Sequence, residues 1–559
     1  MPKISVAEVV VKILEDEGVE VVFGIPGAAI NPVYGELSKS EQIKHFIAHH
    51  EEGACHAADG YARASGKVGF CLCTSGPAAT NFVTGLYTAQ VDSIPIVAIT
   101  GQNVRAQLGK QAFQSVEIAE IVKPVTKKSY CVMEPNRVPG VMREAFRIAR
   151  EGRPGPVLID LPLDVQKEEI EYDPQLDSSL EVYVPEPDMR KIEKAIDMIL
   201  TADAPVMLLG GGVIIADATK EFAELAEYLS IPVIATYMGK GGIPADHPLY
   251  AGHIGTMINT PFGQKTFLES DLILGVGCRF VDRHTGDLEV YTRGRKFIHI
   301  DIEPTQIGKI IPTELGIVSD AKTALNALLG VAKRKTSRQA PSERVKQIPF
   351  LRQQMARRLD FDDVPIKPQR VFKEINEFFD EDTIFTTGCG LNQIWSGQFQ
   401  EIYKPRTYLV SGCAGTLGFD IPAAIGAKIA KPDSMAVAVM GDGGFLFMVE
   451  ELAMACQYNI PITVILINNG VLSLIRQNQK YALGFRYAID LWYGGHNPDF
   501  VKIAEGFGCH AELVENPDEI RPAFQRAVDS QKPSVINIIV DQETDAAMGP
   551  ALDAIKEFD

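Results

Sequence analysis

The chain has 559 residues, 46% hydrophobic and 23% charged, with a formal net charge of −18. That length exceeds what one core organises and predicts about three domains. The negative balance argues against a nucleic-acid surface, which needs clustered Lys and Arg, and no apolar run approaches the roughly 18 residues that span a bilayer. The N-terminus reads as an amphipathic helix with Ser5 placed as its cap, and it lacks a signal-peptide cleavage pattern. Nine cysteines are scattered through the chain. Cys71 and Cys73 form the one close pair, in a buried-strand pattern with no matching His or Cys cluster. Reduced structural thiols and a cytoplasmic location are therefore expected.

Residues 1–165 read as an α/β domain. Strand patterns at 19–23, 45–48, 69–73, 94–100 and 157–160 alternate with helical ones, as a parallel sheet requires. Three of its loops follow a strand and open a helix: Phe23 to Ala29 around Pro26 and Gly27, His49 to Gly53, and Thr74 to Asn81 around Gly76. Glu51 and Glu52 stand at the start of a helix predicted over 54–64, where acids favour the macrodipole. An acidic, Pro-flanked linker is expected at 166–186 and a second α/β domain at 187–335. Its strands are read at 206–209, leading into Gly210-Gly211-Gly212, at 272–276, and at 297–302. The triple glycine alone is weak evidence of nucleotide binding, because it lacks the GxGxxG spacing. A basic linker at 333–343 precedes the last domain, 367–559.

The most informative stretch runs from Gly441 to Asn469. Apolar runs at 436–440 and 462–467 read as buried parallel strands, joined by a helix expected to begin near Phe445. A right-handed crossover brings Asp442 and Asn469 to the same sheet edge, where ligands of open α/β sheets bind. Gly441, Gly443 and Gly444 permit close backbone approach, and the helix start favours an anion such as a diphosphate. One carboxylate and one amide oxygen form a hard donor set suited to Mg²⁺. A Gly-rich turn capped by Asp, plus an unrelated Asn-Asn-Gly turn, is the structural alternative.

This pairing resembles the thiamine diphosphate signature, Gly-Asp-Gly followed by Asn-Asn past the next strand. The order FG-x-PG, H-E-x-GA with DGYARASGK, TSGPAATN and GRPGPV is similar to the acetohydroxyacid synthase and glyoxylate carboligase family. The resemblance implies three doubly wound parallel-sheet domains for the pyrimidine, an FAD-like ligand, and the diphosphate with Mg²⁺. It implies that Asp442, Asn469 and the main-chain oxygen of Val471 hold the metal. It implies cofactor contacts at Pro26, Gly27, Gly76, Asn81, Gly415, Leu417, Gly441, Gly443, Gly444 and Leu472. By the same likeness Glu51 is the acid that activates the aminopyrimidine, Leu417 the wedge that bends the cofactor, and Gly415 the carbonyl that holds its amino group. For Glu51 a plain helix-start acid, and for Leu417 plain packing, are the alternatives.

Phe113 and Gln114 match the family's active-site pair. Arg283 matches an arginine that holds the acceptor's carboxylate, a bidentate task, with a surface or flavin-contacting Arg as the alternative. Structural FAD is implied at Arg153, Gly211, Gly212, Thr236, Met238, Gly252, His253, Arg279, Asp301, Ile302 and Asp320. Each site is implied to form between two chains, giving at least a homodimer and plausibly a homotetramer, with no regulatory subunit implied.

Within the family, GIPGAAINP, RHTG, HIDIEPTQIGK, FDDVPIKPQRV and MGPALDAIKEF resemble glyoxylate carboligase. Gln477-Asn478-Gln479 replaces the synthase Gln-Trp-Gln, and Leu163 stands where synthases carry Lys. Against this, carboligases carry an apolar Val at the position of Glu51, and Gly441-Asp-Gly-Gly looks synthase-like. The expected reaction decarboxylates a 2-oxoacid and joins the remaining fragment to a second carbonyl. Two glyoxylates would give tartronate semialdehyde, and two pyruvates acetolactate. A catalytically silent thiamine-fold protein is a third possibility, against which the intact Glu51, Asp442 and Asn469 argue.

Overall fold

A computed structural model describes residues 3–174, 177–491 and 498–558. It contains three six-stranded parallel sheets with helices packed around them. The first runs, in spatial order, Lys44–Ile47, Val21–Gly24, Gly69–Cys73, Ile96–Gln102, Val157–Pro162 and Lys128–Cys131. The second runs Tyr250–His253, Val233–Ala235, Pro205–Leu209, Leu272–Val276, Lys296–Asp301 and Leu315–Val318. The third runs Tyr408–Val410, Ile384–Thr387, Ala436–Gly441, Ile462–Asn468, Ser534–Ile539 and His510–Val514.

Numbered in chain order within each sheet, the first and third share the order 2-1-3-4-6-5, and the middle sheet has 3-2-1-4-5-6. The latter is the order of dinucleotide-binding folds. In each sheet the order reverses beside its first strand, so a crevice opens at that strand's carboxyl end. Pro26, Gly27 and Gly76 flank the first crevice, Gly210 to Gly212 and Gly277 the second, and Gly388 to Gly390 with Asp442 the third.

Ser5 caps the helix Val6–Asp16 by accepting the Glu8 N–H at 3.1 Å, as its position predicts. The helix expected at 54–64 extends over Glu51–Ser65, so Glu51 occupies its first turn. Two expectations change. The helix after Gly441 is interrupted: Asp442–Phe445 forms one turn, residues 446–450 form turns, and Glu451–Gln457 forms the second helix. The interrupted segment lies over Gly418, where an added Cβ would sit 2.7 Å from Met448. The acidic stretch at 166–186 is also not all linker. It contains the end of the helix Leu163–Lys167 and the strand Glu169–Glu171, which pairs antiparallel with Lys3–Ser5; its residues 175 and 176 lie outside the described residues. All nine cysteines are free. No helix among the described residues is long and apolar enough to cross a membrane.

Candidate active site

The loops singled out in the sequence converge as two half-sites. In the first domain, Gly27, Glu51 and Gly76 follow three adjacent strands at one carboxyl edge. The Ala29 N–H donates to Thr74 Oγ1 at 3.2 Å, tying the first loop to the third. Asn81, one turn into the helix Pro77–Asp92, donates its amide to Glu51 Oε2 at 2.8 Å. Gly76 has φ +65°, and a side chain there would collide with Gln114. Gln114 and Phe113 therefore border this half-site. Phe113 is 85% exposed, although the Asn103 amide holds its carbonyl at 3.0 Å.

The second half-site lies at the edge of the third sheet. Register pairs Gly441 with Ile467, so Asp442 and Asn469 emerge side by side. Asp442 Oδ2 accepts the Gly470 N–H at 2.9 Å. Asp442 is buried, and burial pushes its carboxyl up to about 7 against the opposing pull of backbone N–H groups. Val471 and Leu472 are pinned by the stretch at 489–490: Val471 bridges Asp490, and the Leu472 N–H donates to the Ile489 carbonyl. A Cβ on Gly443 would touch Leu472, and one on Gly444 would touch Leu417. Gly415, at φ +61°, lies against Cys389. Glu51 and Asp442 are thus placed on separate edges, each flanked by exposed apolar groups such as Phe113, Leu446 and Phe447.

A buried carboxylate with no cationic partner among the described residues, beside amide and main-chain oxygens, is what a hard divalent cation requires. Asp442, Asn469 and Val471 fit Mg²⁺ on that ground. The glycine-lined turn at Gly441 to Gly444, ending beneath Leu417, fits a diphosphate group.

A cleft of about 340 Å³ opens at the carboxyl edge of the middle sheet. Arg153, Gly211, Gly212, Thr236, Met238, Arg279, Asp301, Ile302 and Asp320 all line it, as does Arg283. Gly210 and Gly212 approach the Gly277 backbone so closely that a Cβ on either would clash. Arg153 also donates to Ser93 Oγ and to the Gln90 and Val91 carbonyls. Asp320 caps the helix Ala321–Lys335. Gly252 and His253 depart from the expectation. They end the sheet's edge strand and line a different cavity, because two strands separate them from the switch point. Arg283 is exposed and lies within electrostatic range of Cys389, connecting the cleft to the Gly415 turn.

Arg476 and Gln477, near the replaced synthase Trp, are not open to a substrate. Arg476 binds Glu543, Asp545 and the Thr544 carbonyl, while Gln477 exchanges two hydrogen bonds with the Ala546 backbone. Both are buried.

Two site residues were missed in the sequence. Glu451 is fully buried, and its Oε1 accepts the N–H groups of His49 and His50 at 3.1 and 2.9 Å. It thereby holds the loop that delivers Glu51, and burial raises its carboxyl to about 8. Asp92 pairs with Arg63 and accepts the Gly412 and Cys413 N–H groups, fixing the turn before Gly415. An acid inside an apolar helix pattern was the available signal for Glu451.

Residues 4–121 match the family described as thiamine pyrophosphate enzyme, N-terminal TPP binding domain. Residues 192–328 match its central domain, and 388–538 its C-terminal TPP binding domain. A glyoxylate carboligase of Escherichia coli is 46% identical, with 100% of this chain and 97% of that protein covered. The chain belongs to the thiamine pyrophosphate-dependent enzymes. A probable acetolactate synthase large subunit of Methanocaldococcus jannaschii is 42% identical over 97% of this chain and 93% of its own length. An acetolactate synthase large subunit of Corynebacterium glutamicum is also 42% identical, with 98% and 88% covered. Both half-sites fall within the matched thiamine pyrophosphate-binding regions.

Proposed function

We propose that this thiamine pyrophosphate enzyme is a carboligase that converts two glyoxylates to tartronate semialdehyde and CO₂. The observation that carries the reading is the pair of half-sites, acid-bearing and metal-binding, in a chain that aligns along its whole length with a glyoxylate carboligase. Thiamine diphosphate, when bound, supplies the nucleophilic carbon and the electron sink for decarboxylation.

The protein's share follows from its residues. Asp442, Asn469 and the Val471 carbonyl would hold Mg²⁺, which would neutralise the charge of the diphosphate. Glu51, whose carboxylate Asn81 orients, would exchange a proton with the pyrimidine ring as general acid and base. The Gly415 carbonyl and the Leu417 side chain would hold the cofactor between the two half-sites, the carbonyl as a hydrogen-bond acceptor and Leu417 as an apolar support. Arg283 receives the acceptor's carboxylate, and Phe113 with Gln114 closes over the substrate. We place the pyrimidine-binding domain at 1–165, the central domain at 187–335 and the diphosphate domain at 367–559. FAD would occupy the middle cleft as a structural ligand; the dinucleotide strand order and the two cations Arg153 and Arg279 on the cleft wall support this.

Each site joins Glu51 of one protomer to Asp442 of another. Within one chain, the two domains meet through the helices Glu51–Ser65 and Asp420–Ala430, and exposed apolar groups surround both half-sites. A homodimer is thus the minimum, a homotetramer the expected form, and the cytoplasm the expected location.

One observation favours a second reading, acetolactate synthesis: Glu51 is the synthase residue at its position. Offering glyoxylate and pyruvate separately to the chain loaded with thiamine diphosphate and Mg²⁺, with products identified by NMR, decides between them. Tartronate semialdehyde from glyoxylate is expected. Acetolactate from pyruvate, with glyoxylate left unconsumed, would overturn the assignment.

A further inference from the structure

Phe113 and Gln114 lie on the loop between the helical turn Arg105–Gln107 and the short helix Ile118–Ile121. None of residues 108–117 is buried, so no core holds the loop in place. Its backbone is nonetheless in an uncommon state. Gln111 has φ +51° and Gln114 φ +56°, the left-handed region that residues other than glycine rarely adopt. Such conformations persist only where the surroundings over-determine them, and they gather at ligand clamps. An exposed loop in this state needs anchors other than apolar packing.

The anchors are hydrogen bonds to the loop's main chain. Gln102 ends the strand Ile96–Gln102 and is buried. Its amide donates to the Val116 carbonyl at 2.7 Å and to Asp160 Oδ2 at 2.9 Å, and its oxygen accepts the Asn103 N–H at 2.9 Å. With both donors and the acceptor engaged, the direction the amide faces is fixed. Asn103 in turn donates its own side-chain amide to the Phe113 carbonyl at 3.0 Å. The loop is thus gripped at Phe113 and at Val116, on either side of Gln114. Gln114 itself packs on Gly76, where an added Cβ would lie 2.7 Å from the Gln114 Cβ.

Asp160 braces this arrangement from the neighbouring strand. It is 1% exposed, its Oδ1 accepts the Thr100 hydroxyl at 2.8 Å, and its Oδ2 accepts the Gln102 amide. A buried carboxylate is costly unless its oxygens are hydrogen-bonded, so Asp160 requires the Gln102 donor where it stands. The strand Val157–Pro162 that carries Asp160 runs into the helix Leu163–Lys167. There Asp164 accepts the Arg105 N–H at 3.0 Å and the Arg105 guanidinium at 2.8 Å. One strand and the helix after it therefore secure the base of the loop at Arg105 and its far end at Val116.

We propose that Gln102 and Asn103, braced by Asp160, are positioning residues that hold Phe113 and Gln114 in the conformation that closes over the substrate. The proposal rests on the reading of Phe113 and Gln114 as substrate-facing residues, and it holds for either 2-oxoacid. Cofactor activation is assigned to Glu51, which Asn81 orients outside this network. Loosening the loop therefore weakens the use of substrate and leaves activation of the cofactor intact. Misplacing a substrate-positioning group by about 1 Å can cost about 100-fold in rate.

Steady-state kinetics of the full chain loaded with thiamine diphosphate and Mg²⁺ test it, with whichever of glyoxylate and pyruvate the wild type consumes. Asn103→Ala, Gln102→Met, Phe113→Ala and the double variant Asn103→Ala/Phe113→Ala are compared. Asn103→Ala and Gln102→Met are each expected to lower kcat/KM by about tenfold or more, chiefly through KM. Cofactor affinity and exchange of the bound cofactor's C2 hydrogen are expected to stay at wild-type values, which general damage to the fold would not allow. Because Asn103 acts through Phe113, its loss is expected to add little to that of Phe113→Ala. Asn103 is half-buried, so its variant keeps the test decisive if Gln102→Met fails to fold. Wild-type kcat/KM in Asn103→Ala, or losses that multiply in the double variant, would overturn the proposal while leaving the reading of Phe113 standing. Wild-type kcat/KM in Phe113→Ala would instead overturn that reading, and the proposal with it.

Discussion

Glu51 is where local structure and chemistry meet most closely. It begins a helix, so the macrodipole favours its charge, and the Asn81 amide fixes the orientation of its carboxylate. Replacing it with Gln preserves shape but removes the proton it would exchange with the pyrimidine. Glu51→Gln is predicted to slow exchange of the bound cofactor's C2 hydrogen by orders of magnitude, measured by quenched-flow NMR, with cofactor affinity largely retained. Beneath it, Glu451 supports the same loop through two N–H groups. Burial raises the Glu451 carboxyl from 4.5 to about 8, so between those values the folded chain retains a proton that the unfolded chain has lost. The stability from this group is fully present below about 4.5 and is lost as pH rises through 8, by up to about 1.4 kcal/mol per pH unit. Glu451→Gln removes that titration. Denaturant unfolding is predicted to show the variant gaining on the wild type as pH rises from about 5 to about 8, and parallel profiles would contradict the assignment.

At the scale of elements, the helices Glu51–Ser65 and Asp420–Ala430 join the two cofactor-binding domains within one chain. They pack backbone to backbone. A Cβ on Gly426 would lie 1.9 Å from the Ala57 carbonyl oxygen, and one on Gly60 would lie 2.2 Å from that of Ala423. Gly426→Val is therefore predicted to destabilise the chain by at least the roughly 1–3 kcal/mol typical of overpacking, read as a lower denaturant midpoint with an unchanged slope. This contact was not legible in the sequence, since a glycine in a helix pattern does not say what approaches it.

The central strands were legible. Gly69–Cys73 and Leu272–Val276 stand at their predicted bounds, because strands buried on both faces are continuous apolar runs. Strands that carried no such run escaped notice: Lys128–Cys131 is polar and lies at an edge, and Val233–Ala235 and Tyr408–Val410 have three residues each. The interruption at 446–450 was hidden because Phe445 and Leu452 lie at a spacing compatible with one helix. Asp442 with Asn469 was legible because each ends a strand. Gly252 and His253 line the other cavity because their edge strand, although on the same side of the switch point as those leading to Gly211 and Thr236, is the farthest of the three from it.

For the whole molecule, two sheets of the same strand order carry the two halves of the cofactor site, and a third of dinucleotide order stands between them in sequence. Glu51 and Asp442 belong to different domains, and the proposed site brings them together from two protomers. Mixing two inactive chains tests this most directly. Chains carrying Glu51→Gln and chains carrying Asp442→Ala are dissociated, combined and reassociated, and glyoxylate-dependent CO₂ release is measured in the mixed oligomer. Across a two-chain interface, one of the two sites in each mixed dimer regains both native residues, so activity absent from either parent is predicted to reappear. Mixed oligomers that form yet remain as inactive as their parents would contradict the account.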